Sequence, residues 1–207
     1  MFKNKADYYQ SLYEIAAAVN SAHNPDDVLH SIVETIAKAV DAKGCSLMLL
    51  SPDKKLLLHT TAYGLSDWYV RKGPVSADKS ISEALNGKPV NIMDATVDER
   101  VQYRAQAKKE GIFSILSVPI TLKGEIIGVI RVYTSKPRLF DKHDIYFISA
   151  AANLGAIALE NARLYESLKK DYDTFRQEIL EWRAALGFES IAEPDVIPAE
   201  EFSEAVR

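Results

Sequence analysis

Ile115-Leu116-Ser117-Val118-Pro119-Ile120, then Lys123-Gly124-Glu125, then Ile126-Ile127-Gly128-Val129-Ile130-Arg131-Val132-Tyr133: two β-branched runs meet at a glycine turn. Such a pair reads as a hairpin. Phe140-Asp141 follows closely and opens a helical pattern that continues through Asn161-Ala162-Arg163-Leu164-Tyr165 and beyond. Alternation along the second run assigns Ile126, Gly128, Ile130 and Val132 to a face packed under helices. Ile127, Val129, Arg131 and Tyr133 fall on the other face, which therefore carries a guanidinium and a phenol. A guanidinium there suits a carboxylate or a phosphate. Two plainer readings stay open for Arg131: a solvated strand edge, or pairing with Asp94.

Upstream, Tyr8, Leu12, Ile15 and Val19 alternate spacings of four, three and four, one apolar stripe on a first helix. Asn24-Pro25 is a start signal, because Asn caps and Pro fits the first helical position. That second helix is expected to reach about Asp41 and to bury Val28, Ile32, Val33, Ile36 and Val40. Strands are predicted over Cys45 to Leu50 and Leu56 to Ala62, around a Pro52-Asp53-Lys54 turn. Between Tyr63 and Phe113 the pattern is less regular. Short helices are expected near Gly64 to Tyr69 and Ser80 to Leu85, a turn at Asn86-Gly87-Lys88-Pro89, a strand at Val90-Asn91-Ile92, and a helix from Asp98 to Glu110 that stops at Gly111.

This order of elements, with Ile92-Met93-Asp94 and Asp98-Glu99-Arg100 in the middle, resembles the GAF domain family over roughly Asp26 to Glu166. The resemblance implies an α+β fold: a central antiparallel sheet, helices packed on one face, a lid and ligand cavity on the other, and a long C-terminal helix. It also implies sensing of a small molecule rather than turnover. Candidates for the ligand lining are His59, Tyr63, Trp68, Asp94, Arg100, Tyr103, Arg104, Ser117, Arg131 and Tyr133. His59 and Tyr63 are expected to share one face of their strand.

Specialised members of that family can be tested on residues. Bilin carriers attach their chromophore to a cysteine followed by histidine; the single cysteine here, Cys45, is followed by Ser46. The methionine-sulfoxide-reducing members cycle a set of cysteines, which one thiol cannot complete alone. Cyclic-nucleotide binders carry Asn-Lys and Phe-x-x-x-Asp-Glu signatures, against which this chain offers Phe140-Asp141-Lys142-His143-Asp144. For haem, His59 or His143 would have to serve as the axial ligand. The sequence names no cofactor and leaves the ligand's identity open.

Bulk properties set the remaining bounds. A chain of 207 residues with 47% hydrophobic composition buries a core as one domain with extensions. One cysteine excludes an internal disulfide framework and a cysteine zinc cluster. A net charge of -4 argues against a general nucleic-acid binder. No continuous apolar run approaches the ~18 residues of a membrane span, and a cytoplasmic protein is expected. His23 and His30 lack metal-ligand spacing, and no nucleophile elbow, Walker A loop or dinucleotide fingerprint is present. No catalytic role is therefore assigned.

From Ala151, three-four spacing continues through Leu154, Ala158, Asn161 and Tyr165 to Leu168, Tyr172, Phe175, Ile179, Trp182 and Leu186. The last six are the expected dimer seam. Asp171 and Glu178 at g then face Arg176 and Arg183 at e across a parallel pair. The alternative is that the stripe packs on the chain's own first helix; both meet in a dimeric bundle of first and last helices. The expected organisation is a bundle helix over 1–22, a sensory domain over 23–164, a coiled signalling helix over 165–186 and an acidic tail over 187–207. With no output segment recognised, a separate partner protein is expected to receive the signal.

Overall fold

The computed structural model describes residues 5–21, 24–77 and 82–186. The expected acidic tail and the start of the Ser80 helix lie outside these residues. Two units are distinguished, residues 1–163 and 164–207.

In the first unit, helices α1 (Lys5–Ser21) and α2 (Pro25–Ala39) precede the sheet. Asn24 starts α2 as its spelling predicts: the side-chain oxygen accepts from the Asp26 amide at 3.0 Å, with Pro25 in the first turn. Strands β1 (Gly44–Leu50) and β2 (Leu56–Tyr63) follow, then α3 (Asp67–Val70), β3 (Val75–Ser76), α4 (Ser82–Leu85), β4 (Val90–Ile92) and α5 (Arg104–Glu110). The quoted hairpin forms β5 (Ser114–Leu122) and β6 (Glu125–Thr134), turning through Lys123 and Gly124, both at positive φ. Asp141 then caps α6 (Lys142–Ala185), its carboxylate accepting from the amides of His143 and Asp144.

All strand pairs are antiparallel, in the order β3-β2-β1-β6-β5-β4, so the hairpin strands lie centrally. One face buries Cys45, Leu47, Leu116, Val118, Ile120, Ile130 and Val132 against Ile15 of α1, the apolar face of α2, and Phe147, Ile148, Ala151 and Ala152 of α6. The other buries Met48, Leu57, Ile115, Val129 and Tyr133 under Tyr69, Val101, Ala107 and Ile112 of the short helices and loops. Gly128 is required by its neighbour, since a Cβ there would stand 2.2 Å from the Met48 carbonyl oxygen.

Several expectations are corrected. A bulge opposite Leu47 and Met48 inserts Thr60 into β2, pairing His59 with Met48 but Thr61 with Leu47. Tyr63 therefore turns to the helical face, near His30, instead of sharing His59's side. A second irregularity pairs Ile126 with Thr121 and Gly128 with Ile120, so Ile127 packs with the helical core and Ile126 does not. The helix expected from Asp98 begins only at Arg104, because the Asp98 carboxylate binds the amide and guanidinium of Arg100 and holds a turn there.

The stripe on α1 also has a local use. Tyr8 stacks on Phe147 at 4.5 Å, Ile15 is fully buried, and Leu12 and Val19 pack on the same cluster. Ala151, Leu154 and Ala158, at the start of the three-four stripe ahead of the expected seam, likewise belong to this core. α6 is long and apolar enough by composition to cross a membrane. Part of its apolar stretch packs in this core, with Phe147, Ile148, Ala151, Ala152, Gly155, Ala156 and Ala158 buried. The described part of the second unit continues α6 to Ala185, with Leu168, Tyr172, Phe175, Ile179, Trp182 and Leu186 all exposed.

Candidate functional site

The face of the sheet away from α2 carries a polar rung in an otherwise apolar floor. Register places Arg131 of β6 between Ser46 of β1 and Ser117 of β5, with Ala62 and Val90 continuing the rung outward. Ser46 and Ser117 are fully buried and Arg131 is only 4% exposed. A guanidinium so placed ordinarily meets a carboxylate. Here its Nε donates to Ser117 Oγ at 3.2 Å, and Nη2 has no partner among the described residues. Neither plainer reading of Arg131 holds: the residue is not at an edge, and the Asp94 carboxylate binds the amide and hydroxyl of Thr96 in its own turn.

Above this rung stand two tyrosines and a lysine. Tyr133 meets Ser46 Oγ at 3.0 Å through its hydroxyl, and Tyr69 of α3 contacts its ring edge-on at 6.1 Å. Both rings are buried, and burial raises both phenols. Lys72 sends its Nζ back over Tyr69, 3.7 Å from the ring centroid, and 5.6 Å from that of Tyr103. It donates to the Tyr69 carbonyl at 3.0 Å and lies 3.2 Å from His59 Nε2. His59 Nδ1 is buried without a partner among the described residues.

The electrostatics follow from crowding cations in a largely buried site. Burial, then the charge of Arg131, push Lys72 down to about 7, with Glu110 opposing. Burial, then Lys72 and Arg131, push His59 down to about 3. Glu110 is committed elsewhere: its carboxylate accepts from the amide and hydroxyl of Ser66 and lies 3.7 Å from Lys43. The cluster is thus a buried positive spot walled by aromatic rings.

Of the ten candidates, His59, Ser117, Arg131 and Tyr133 come together here, with Tyr103 at the rim, its hydroxyl donating to the Pro74 carbonyl. Trp68 is 39% exposed and lies outside, under Lys109. Arg100 is held by Asp98 on its own loop, 3.8 Å from Glu83, and Arg104 is exposed. Tyr63 is on the far face. Sequence reasoning missed Ser46 and Lys72, and left Tyr69 out of the ligand lining. Ser46 stands opposite Arg131 only once the strand register is known, and Lys72 follows Tyr69 by three residues, the spacing that brings side chains over one another in a helical turn.

A family model described as GAF domain matches residues 22–160. The chain belongs to the GAF domain family. Over 183 residues, 84% of this chain, it is 26% identical to a methyl sulfide methyltransferase-associated sensor of Methanosarcina acetivorans, of whose length it spans 18%. The GAF domain of a phosphoenolpyruvate-protein phosphotransferase from Coxiella burnetii aligns at a TM-score of 0.71 and 22% identity, over 80% of this chain and 99% of that one. A free methionine-R-sulfoxide reductase from Neisseria meningitidis, solved with its substrate, aligns at 0.66 and 16% identity, over 80% and 95%. These two establish a common fold.

In this GAF domain Cys45 faces the helical core, fully buried, and burial pushes its thiol up. Among the described residues no cluster of histidine, cysteine and carboxylates is arranged to hold a metal ion. Two grooves lie on the helical side. One, of about 280 Å³, is lined by Tyr8, Tyr9, Leu12, His143, Tyr146 and Phe147; the other, of about 230 Å³, lies between α1 and α2.

Proposed function

We propose that this GAF domain is a non-enzymatic sensory module that binds a small molecule over the Arg131 rung and passes the event through its helices to a separate protein. The observation that carries the reading is the buried, incompletely hydrogen-bonded Arg131, paired with no carboxylate among the described residues. Burying such a group stabilises nothing by itself, and a guest of opposite charge repays the cost. The sensor named among the relatives supports the sensory part.

A chain of hydrogen bonds from the Met93 loop to the helices supports a route for that event. Ser114 Oγ donates to the Met93 carbonyl at 2.7 Å and accepts from the Arg138 amide at 3.0 Å. The Arg138 guanidinium donates to both oxygens of Asp144 and to the Val40 carbonyl at the end of α2, and Tyr8 of α1 donates to Asp144 at 2.5 Å. Movement of the Met93 loop on binding would thus be felt by α1, α2 and α6 together. The exposed apolar stripe from Leu168 to Leu186 fits a second copy, making the output helix a dimeric coil.

A second reading has its own support. The rings of Tyr69 and Tyr133 already meet above the rung, as they would in a ligandless GAF fold kept for dimerisation. Native mass spectrometry of gently purified protein against the denatured mass separates the two. A dimer carrying extra non-covalent mass is expected. Bare dimers support the scaffold, and bare monomers remove the coiled helix.

A further inference from the structure

We infer that the guest of the Arg131 site is a small oxyanion, and that it enters together with one proton that settles on Lys72. This rests on the reading of that face as a ligand site.

The unpaired atoms decide the guest's chemistry. Arg131 Nη2 is a donor and nothing else. When Lys72 is an ammonium it too only donates, so the His59 Nε2 at 3.2 Å must accept, which places the ring proton on Nδ1. That Nδ1–H is the second buried polar atom of the cluster without a partner. Both orphans are therefore donors. The ammonium spends two of its three N–H groups on the Tyr69 carbonyl and His59, and the third remains for a guest. A carboxylate, sulfate or nitrate brings only acceptors and suits Arg131 Nη2 and the remaining Lys72 N–H, whereas a guest rich in its own donors leaves them unmet; the His59 Nδ1–H points from the opposite side of its ring and is not needed for that guest.

Charge balance supplies the proton. The groups facing Lys72 are His59 from β2, Arg131 from β6, Tyr69 from α3, Tyr103 ahead of α5 and Glu110 from α5. Glu110 is the acidic group acting on it, and Ser66 and Lys43 already hold that carboxylate. Without an anion, Arg131 opposes the ammonium, and near neutrality the amine is divided between its two forms. An anion between them reverses the sign of that opposition, while the Tyr69 ring keeps the ammonium in place. His59, pushed down to about 3, stays neutral throughout and does not share the proton. Below pH 7 the proton is already present and affinity is flat. Above it, affinity falls about tenfold per pH unit.

Isothermal titration of the full chain with sodium sulfate, acetate and nitrate tests this, since none of these ions titrates near neutrality. Runs from about pH 6 to 8.5 in two buffers of different ionisation enthalpy count the protons taken up. The expected result is saturable binding of at least one ion, with uptake rising from near zero to nearly one proton per site. Lys72→Arg, permanently charged, is expected to bind without uptake and without the pH slope; Lys72→Met is expected to bind about tenfold more weakly at pH 7. Binding without uptake, or a slope retained in Lys72→Arg, overturns the inference and leaves the ligand site standing. If none of the three ions binds while native spectra show a retained neutral mass, the guest is not an oxyanion and the site reading survives. If neither probe finds a guest, both fall.

Discussion

The two faces of one sheet are built to different ends. Beneath α1, α2 and α6, strands β1, β5 and β6 present Leu47, Leu116, Val118, Ile120, Ile130 and Val132 without a polar interruption. On the opposite face, Ser46, Arg131 and Ser117 cross the middle of the same three strands, buried and only partly satisfied. The helical face is where burial produces stability. The lid face retains groups that oppose folding, a cost the other face offsets and the reason the proposed binding site is placed there.

The contrast is sharpest at Phe147, stacked on Tyr8 and nearly fully buried. Phe147→Ala is expected to cost about 3 to 5 kcal/mol in urea unfolding. A loss under about 1 kcal/mol would mean that the helical face is not the main source of stability. Acid probes the lid face. Because His59 is pushed from its ordinary 6.5 to about 3 in the fold, the unfolded chain binds the proton more readily between those values. Its contribution is complete above about pH 6.5 and drains away as pH falls towards 3. By pH 4.5 the loss from this residue is about 3 kcal/mol, and His59→Asn should flatten that part of the pH–stability curve.

Arg131→Met separates binding from folding. It removes a buried charge while keeping a flexible apolar chain, so stability should hold or rise by about 1 kcal/mol as ligand retention disappears. If that variant instead unfolds easily, Arg131 is structural and the contrast between the faces breaks. The smallest effect belongs to Gly155, buried in α6. A Cβ there would lie 3.7 Å from Ile32 and 3.9 Å from Leu47, in ordinary contact. Gly155→Ala should therefore raise the unfolding midpoint, gaining about 0.5 to 1 kcal/mol from helix propensity.

The fold was legible because its elements carry strong local signals: the Asn24-Pro25 cap, the Lys123-Gly124 turn and the alternation from Gly128 to Tyr133. Arg131 could be placed on the correct side of the sheet for the same reason. What alternation cannot reveal is a bulge, and the extra residues at Thr60 and Ile127 misassigned Tyr63, Ile126 and Ile127. Choosing Trp68 over Tyr69 fails for a related reason. In the four-residue helix α3 adjacent aromatics point about 100° apart, and only the tertiary setting decides which one enters. Lys72 is the hardest to foresee, since a lysine reads as surface until a ring beneath it and a histidine beside it are known.

Thr60 also bears on how this sheet tolerates changes in length. Residues before it and after it are each in phase with the layer they serve: His59 with the lid, Thr61 and Tyr63 with the helices. Removing that one residue would straighten the strand without exchanging any neighbour between layers, whereas removing one at a regular position would invert every side chain beyond it. The bulge is thus a seam in the reading frame of the sheet, a place where a lineage can gain or lose a residue while both faces keep their meaning.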